Sequence, residues 1–93
     1  MAQIKIRYFN ILSDYAGKKE EEISLAEECT LKELVMALVE RNQPAFGKVV
    51  LSEGDVSSFI RVFINDDMIT GEEFSRILHD GDRVLLFPAV SGG

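Results

Sequence analysis

Cysteine is nearly absent: Cys29 is the only one among 93 residues. A lone thiol excludes an internal disulfide and cannot by itself hold zinc or an iron–sulfur cluster. Histidine is as scarce, and His79 does not complete a metal set. No metal site is therefore expected. There is no apolar run approaching the ~18 residues that a membrane span requires. The opening MAQIKIRYFN lacks the long apolar stretch of a secretion signal. Positive charge is also in short supply, with 10 Lys and Arg against 16 Asp and Glu and a net charge of −6. Nucleic acid and anionic membranes both call for a basic surface, so neither is an expected partner. The acidic balance fits solubility, or docking on a basic partner. With no export signal and no disulfide, the cytoplasm is the expected compartment.

What is present is an ordinary globular mixture, 46% hydrophobic and 28% charged. At this length a single domain over residues 1–93 is expected, burying roughly 60% of its unfolded surface. Gln3 to Phe9 alternates, with Ile4, Ile6 and Tyr8 on one face and Lys5, Arg7 and Phe9 on the other, which is the pattern of a half-buried strand. Asn10 to Gly17 reads as a turn with some helix. Ile23 and Leu25 mark a second strand over Glu20 to Leu25, paired with the first in a hairpin. Thr30 with Glu33 three residues later is a capping-box pattern. Leu31, Leu34, Val35, Leu38 and Val39 then fall on one stripe of a helix of about twelve residues, ended by Asn42 and Pro44. Residues 43 to 58, broken by Pro44, Gly47 and Gly54, read as a surface excursion.

Alternation resumes at Ile60 to Ile64, followed by a turn at Asn65–Asp66–Asp67 and a short return through Met68–Ile69. Glu72 to Leu78 reads as a turn of helix with Phe74, Ile77 and Leu78 inward. Asp80–Gly81–Asp82 is a tight turn, and Arg83 to Phe87 is a last strand with Val84 and Leu86 in phase for burial. Pro88 cannot donate to a ladder and stops it. This order gives an α+β layer pair. A hairpin, a crossing helix and a late strand meet the requirements of a β-grasp (ubiquitin-like) fold. The expectation is a mixed sheet of four to five strands on one main helix, with residues 88–93 as a mobile Gly-Gly tail.

The tail, Pro88, Ala89, Val90, Ser91, Gly92 and Gly93, is the candidate site. Six extended residues reach at most about 20 Å, enough to place a terminal carboxylate deep in another protein's pocket. Glycine has no Cβ, so this backbone fits a narrow channel and takes any φ. A carboxylate flanked by glycine is sterically open to reaction with ATP and then with a thiol.

Three motifs stand together: Val62–Phe63–Ile64–Asn65–Asp66, Leu78–His79–Asp80–Gly81–Asp82–Arg83–Val84, and Phe87–Pro88–Ala89–Val90–Ser91–Gly92–Gly93. With the opening Ile4–Lys5–Ile6–Arg7–Tyr8–Phe9 and the Leu12…Gly17 turn, they resemble the small, sulfur-carrying subunit of molybdopterin synthase. That subunit belongs to the β-grasp superfamily of sulfur carriers. Ala89 stands where this subunit usually has a second proline. A Pro-Ala-Val-x-Gly-Gly end also resembles the sulfur carrier of a cysteine-biosynthesis pathway, and archaeal ubiquitin-like modifiers share the ending. The resemblance implies that an E1-like enzyme adenylates Gly93 with ATP. Sulfide or a persulfide then displaces AMP, leaving a thiocarboxylate. Pro88, Ala89, Val90, Ser91 and Gly92 insert into the large synthase subunit, where the sulfur passes to a pyranopterin precursor. The implied partners are the adenylating enzyme, the large subunit and a sulfur-donor protein. ATP is used by the activating enzyme, and no cofactor stays bound. The chain is then a sulfur-donating subunit with no catalytic residue of its own beyond the terminal group. Other readings are a carrier for cysteine or thiamine synthesis, or a protein modifier joined to lysines through Gly93.

Strand phase adds a docking face. With Ile4, Ile6 and Tyr8, then Ile60, Val62 and Ile64, then Val84 and Leu86 turned inward, Phe9, Phe63 and Phe87 share the outer face. An apolar patch rimmed by charge marks an interface. In the resembled family the surface matching Phe9, Met68 and Phe87 contacts both partner enzymes. Cys29 has no basic neighbour in sequence to lower its pKa and is not expected to relay sulfur.

Overall fold

A computed structural model of the chain describes residues 1–42, 44–57 and 59–88. The elements run β1 (Ala2–Tyr8), α1 (Ile11–Ala16), β2 (Glu20–Leu25), α2 (Leu31–Arg41), α3 (Pro44–Val50), β3 (Leu51–Ser52), β4 (Asp55–Val56), β5 (Ile60–Ile64), β6 (Asp67–Ile69), a 3₁₀ turn over Gly71–Ser75, and β7 (Arg83–Pro88). Five strands form one mixed sheet in the order β2-β1-β7-β5-β6. The β1–β2 and β5–β6 pairs are antiparallel hairpins, β7 runs antiparallel to β5, and β1 and β7 lie parallel at the centre. This is the β-grasp arrangement expected from the sequence.

Period-two patterning sets which side of the sheet is buried. β1 alternates strictly, with Ala2, Ile4, Ile6 and Tyr8 buried and the residues between them exposed. Ile60, Val62 and Ile64 of β5 and Val84 and Leu86 of β7 fill the same inner face. A one-residue slip in any of these strands would expose its whole apolar set, so the pattern fixes the register. α2 lays Leu31, Leu34, Val35 and Leu38 against that face. Its start is fixed by a complete capping box. Thr30 Oγ1 accepts the Glu33 N–H at 3.2 Å, and the Glu33 carboxylate accepts the Thr30 N–H at 3.1 Å.

Two expectations are corrected. Residues 43 to 58 are not a surface excursion in their described part. Pro44 does not merely end α2 but opens α3, because proline at the first helical position has its φ preset and loses no bond that the helix would use. α3 sends Phe46 and Val50, both 0% exposed, into the core, and Phe46 meets the Tyr8 ring edge-on at 5.6 Å. β3 and β4 then close a small hairpin of their own. The second correction is Ile77, which is exposed rather than inward, since the chain is extended there. Its backbone bridges to Thr30, and the neighbouring Leu78 takes the buried place.

Tight turns hold the strand ends. Asn65 and Asp66 both adopt positive φ (48° and 78°), the geometry of a two-residue hairpin whose twist matches its strands. Gly81, at φ 91°, closes the turn into β7, where a side chain would strain the backbone.

Candidate functional site

The outer face of the sheet can be read from the registers. Arg7 lies opposite Glu20 on one side and Leu85 on the other, Leu85 lies opposite Phe63, and Phe63 lies opposite Met68. One row across all five strands therefore passes from an acid through a cation to three apolar side chains. The next row toward the end of β7 holds Phe87 opposite Arg61. Beyond Tyr8, β1 continues beside β7 through a bond from the Phe9 N–H to the Leu86 carbonyl (3.1 Å).

Three rings meet at the end of β7. Phe9 and Phe87 stack with centroids 4.0 Å apart and planes 5° from parallel. Phe63 meets Phe87 edge-on at 5.4 Å. The Arg7 guanidinium sits 5.4 Å from the centre of the Phe9 ring, within cation–π range. Each ring shields its neighbours, so all three are half-buried, whereas Met68 is 51% exposed. The structure thus brings together all four side chains singled out for docking. Leu85 joins them and was not anticipated. Its signal was hidden because Val84–Leu85–Leu86 is a continuous apolar run in which only the neighbours' phase marks the middle residue as outward.

Pro88, expected to stop the strand and open the tail, instead ends β7 paired with Ile60, where it needs to donate no bond, and it is the last described residue. Ala89, Val90, Ser91, Gly92 and Gly93 lie outside the described residues. The aromatic cluster therefore stands at the root of the segment expected to carry the chemistry.

The opposite end of β7 is a hydrogen-bonded lock. Asp80 accepts the Gln3 N–H at 2.7 Å, and the Gly81 N–H donates to the Gln3 carbonyl at 2.9 Å. Asp82 accepts the His79 N–H at 2.8 Å and the Asn65 side-chain amide at 2.7 Å. Asn65 in turn accepts the Arg83 N–H at 3.0 Å. The Asp-Gly-Asp turn and Asn65 thus tie together β1, β5 and β7. Their part is to set the registers that build the outer face.

A second polar knot fastens β2 to the helix layer. Burial pushes the Glu21 carboxyl up, but hydrogen bonds from the Tyr8 hydroxyl (2.5 Å) and Arg41 (2.9 Å) outweigh it and hold the group below its ordinary range. Lys18 adds a contact at 3.5 Å. Burial, and then the bond to Glu21, push the Tyr8 hydroxyl far above its ordinary value, so it stays a neutral donor. Burial and then the Glu33 carboxylate raise the Cys29 thiol, the wrong direction for a nucleophile. Among the described residues no group of His, Cys, Asp and Glu is placed to hold a metal ion, and no helix is long and apolar enough to cross a membrane.

The model of the ThiS family matches residues 6–93, nearly the whole chain. The chain belongs to the ThiS family. This places it among the β-grasp sulfur carriers that its motifs resemble. Over 69 residues it is 29% identical to a protein of Archaeoglobus fulgidus assigned as a sulfur carrier, an overlap covering 73% of this chain and 78% of that one. Among solved structures it is similar to a protein of Pyrococcus furiosus assigned as molybdopterin converting factor subunit 1. The identity is 30% and the TM-score 0.81, over 97% of this chain and 100% of the other. It is also similar to SAMP1, a small archaeal modifier protein, of Haloferax volcanii, at 26% identity and a TM-score of 0.84 over 99% and 100% of the two chains.

Proposed function

We propose that this ThiS-family chain carries sulfur as a thiocarboxylate on Gly93 and delivers it in molybdopterin synthesis. The observation that carries this reading is the family match through Gly93, with the rings of Phe9, Phe63 and Phe87 gathered at the root of that tail. A carboxylate is a poor electrophile because its leaving group would be oxide. ATP converts it to an acyl-adenylate and releases pyrophosphate. Sulfide adds at the acyl carbon and AMP departs, leaving the thiocarboxylate. If a protein persulfide is the donor, a second thiol must then reduce the acyl disulfide. The terminal sulfur, ionised at neutral pH, is the nucleophile that attacks the pyranopterin precursor in the large subunit. The body of the chain supplies no acid or base to these steps. It presents the tail and docks, in turn, on the E1-like adenylating enzyme and on the large synthase subunit, through Phe9, Phe63, Met68, Phe87 and Leu85.

Similarity to the Pyrococcus furiosus converting-factor subunit supports the molybdopterin branch. Similarity to a small archaeal modifier protein supports a second reading, conjugation of Gly93 to lysines, which shares the adenylation step. Deletion of Gly93 tests the carrier reading. Sulfur transfer to the precursor in a reconstituted synthase is expected to fall to background while the melting temperature is unchanged. Full transfer by the shortened chain would overturn it, and Gly-Gly-modified lysines traced to this chain would favour conjugation.

A further inference from the structure

The net charge of −6 fits solubility or a basic partner, yet the charge is not spread evenly. On the three inner strands of the sheet, the outward residues are Gln3, Lys5 and Arg7 of β1, Arg83, Leu85 and Phe87 of β7, and Arg61 and Phe63 of β5. Every charge among them is positive. Four of the chain's 10 basic residues stand there, and none of its 16 acidic ones. The acids nearest to them stand at the rim: Glu20 and Glu22 opposite Arg7 and Lys5 on the edge strand β2, and Asp66 in the β5–β6 turn beside Arg7 and Arg83. A shallow depression of about 380 Å³ lies between the strands, with the cations Lys5, Arg7 and Arg83 on one side of its lining and Glu20, Glu21 and Glu22 of β2 on the other. Screening confines each charge's influence to about 8 Å at physiological salt, so a docked surface feels this local field and not the acids across the molecule.

We infer that the docking face is built for an acidic protein surface. Its occupant is the E1-like adenylating enzyme of the proposed function. That enzyme would present carboxylates to Lys5, Arg7 and Arg83 beside an apolar centre that covers Leu85, Phe63 and Phe87. The inference rests on that proposed function and reverses what the chain's overall charge suggests. Charge complementarity across such a rim sets orientation and association rate. The acids on β2 would exclude a partner shifted by one strand, because its carboxylates would then face Glu20 and Glu22.

The test uses the E1-like adenylating enzyme of the same cells, assayed by ATP–pyrophosphate exchange in the presence of this chain. The measured quantity is the chain concentration that half-saturates exchange. The double variant Lys5→Glu/Arg83→Glu is expected to raise it about tenfold or more, and Glu22→Lys to lower it. Glu40→Lys, on the exposed side of α2, makes the same change of net charge as Glu22→Lys and is expected to leave it unchanged. Unaltered melting temperatures would show that all three variants fold. If Lys5→Glu/Arg83→Glu tightens binding, or if Glu40→Lys matches Glu22→Lys, net charge governs and the inference is overturned while the proposed function stands. Absence of exchange with the wild-type chain would overturn both.

Discussion

The two faces of one sheet are built from the same strands and differ in almost every physical respect. The inner face is apolar, closed by α2 and α3, and its residues on β1, on β5 and on β7 as far as Leu86 are at most 6% exposed. The outer face carries cations, three rings and Met68, with no element packed over it among the described residues. Folding needs only the first. The second has apolar side chains that the fold does not cover, which is what an interface leaves behind in the free protein. Strand alternation lets one sequence satisfy both demands, since neighbouring residues are assigned to different tasks.

That contrast can be broken from either side. The largest expected effect is on the inner side. Phe46→Ala should destabilise the chain by roughly 3–5 kcal/mol, because it empties the largest fully buried side chain. Chemical denaturation would measure the loss, and the fraction that remains folded should still bind the adenylating enzyme normally. On the outer side, Phe87→Ala removes the ring that contacts both Phe9 and Phe63. It should weaken docking by about 2 kcal/mol, as an interface anchor does. Calorimetric titration would show it, with a smaller change in stability because the ring is only half-buried. Unchanged affinity would remove the aromatic cluster from the interface.

Smaller effects sharpen the boundary between the faces. The Glu21 carboxyl is held below its ordinary range in the folded chain, so the unfolded chain binds its proton first as pH falls. Its stabilisation is complete above the unfolded value and is lost as pH drops through the folded one. Glu21→Gln should cost roughly 1.5 kcal/mol at neutral pH and flatten the loss of stability in acid. Melting temperatures of the two chains across mildly acidic pH would test this, and parallel curves would contradict it. Thr30→Ala should cost about 1 kcal/mol by removing the cap of α2, with docking unaffected.

Much of this was legible in the sequence because strong local signals agreed with the fold. The alternation of Ile4, Ile6 and Tyr8, the Thr30–Glu33 box and the Asn65–Asp66 turn each specify geometry over a few residues. α3 was not legible. It is short, Pro44 reads as easily as a stop as a start, and Gly47 in its middle argues against helix. The reason for Gly47 is tertiary. A Cβ there would lie 3.0 Å from Val39 of α2, so the glycine lets two helices approach. Strand phase and the β-grasp strand order put Phe9, Phe63 and Phe87 on one face, as found, but the stacking of Phe9 on Phe87 did not follow, because side-chain rotamers decide it. Strand phase likewise puts Lys5, Arg7, Arg61 and Arg83 on the outer face. Where the acids fall around them was not legible, because only the registers and turns of the sheet place Glu20, Glu22 and Asp66 at the rim.

The central claim is that this fold exists to present Gly93 for sulfur loading. The most direct measurement is the intact mass of the chain, purified under denaturing conditions from its own cells. A species with one oxygen replaced by sulfur, mapped to Gly93, is the predicted result. Only the free acid, even after incubation with ATP, a sulfur source and the native adenylating enzyme, would contradict it.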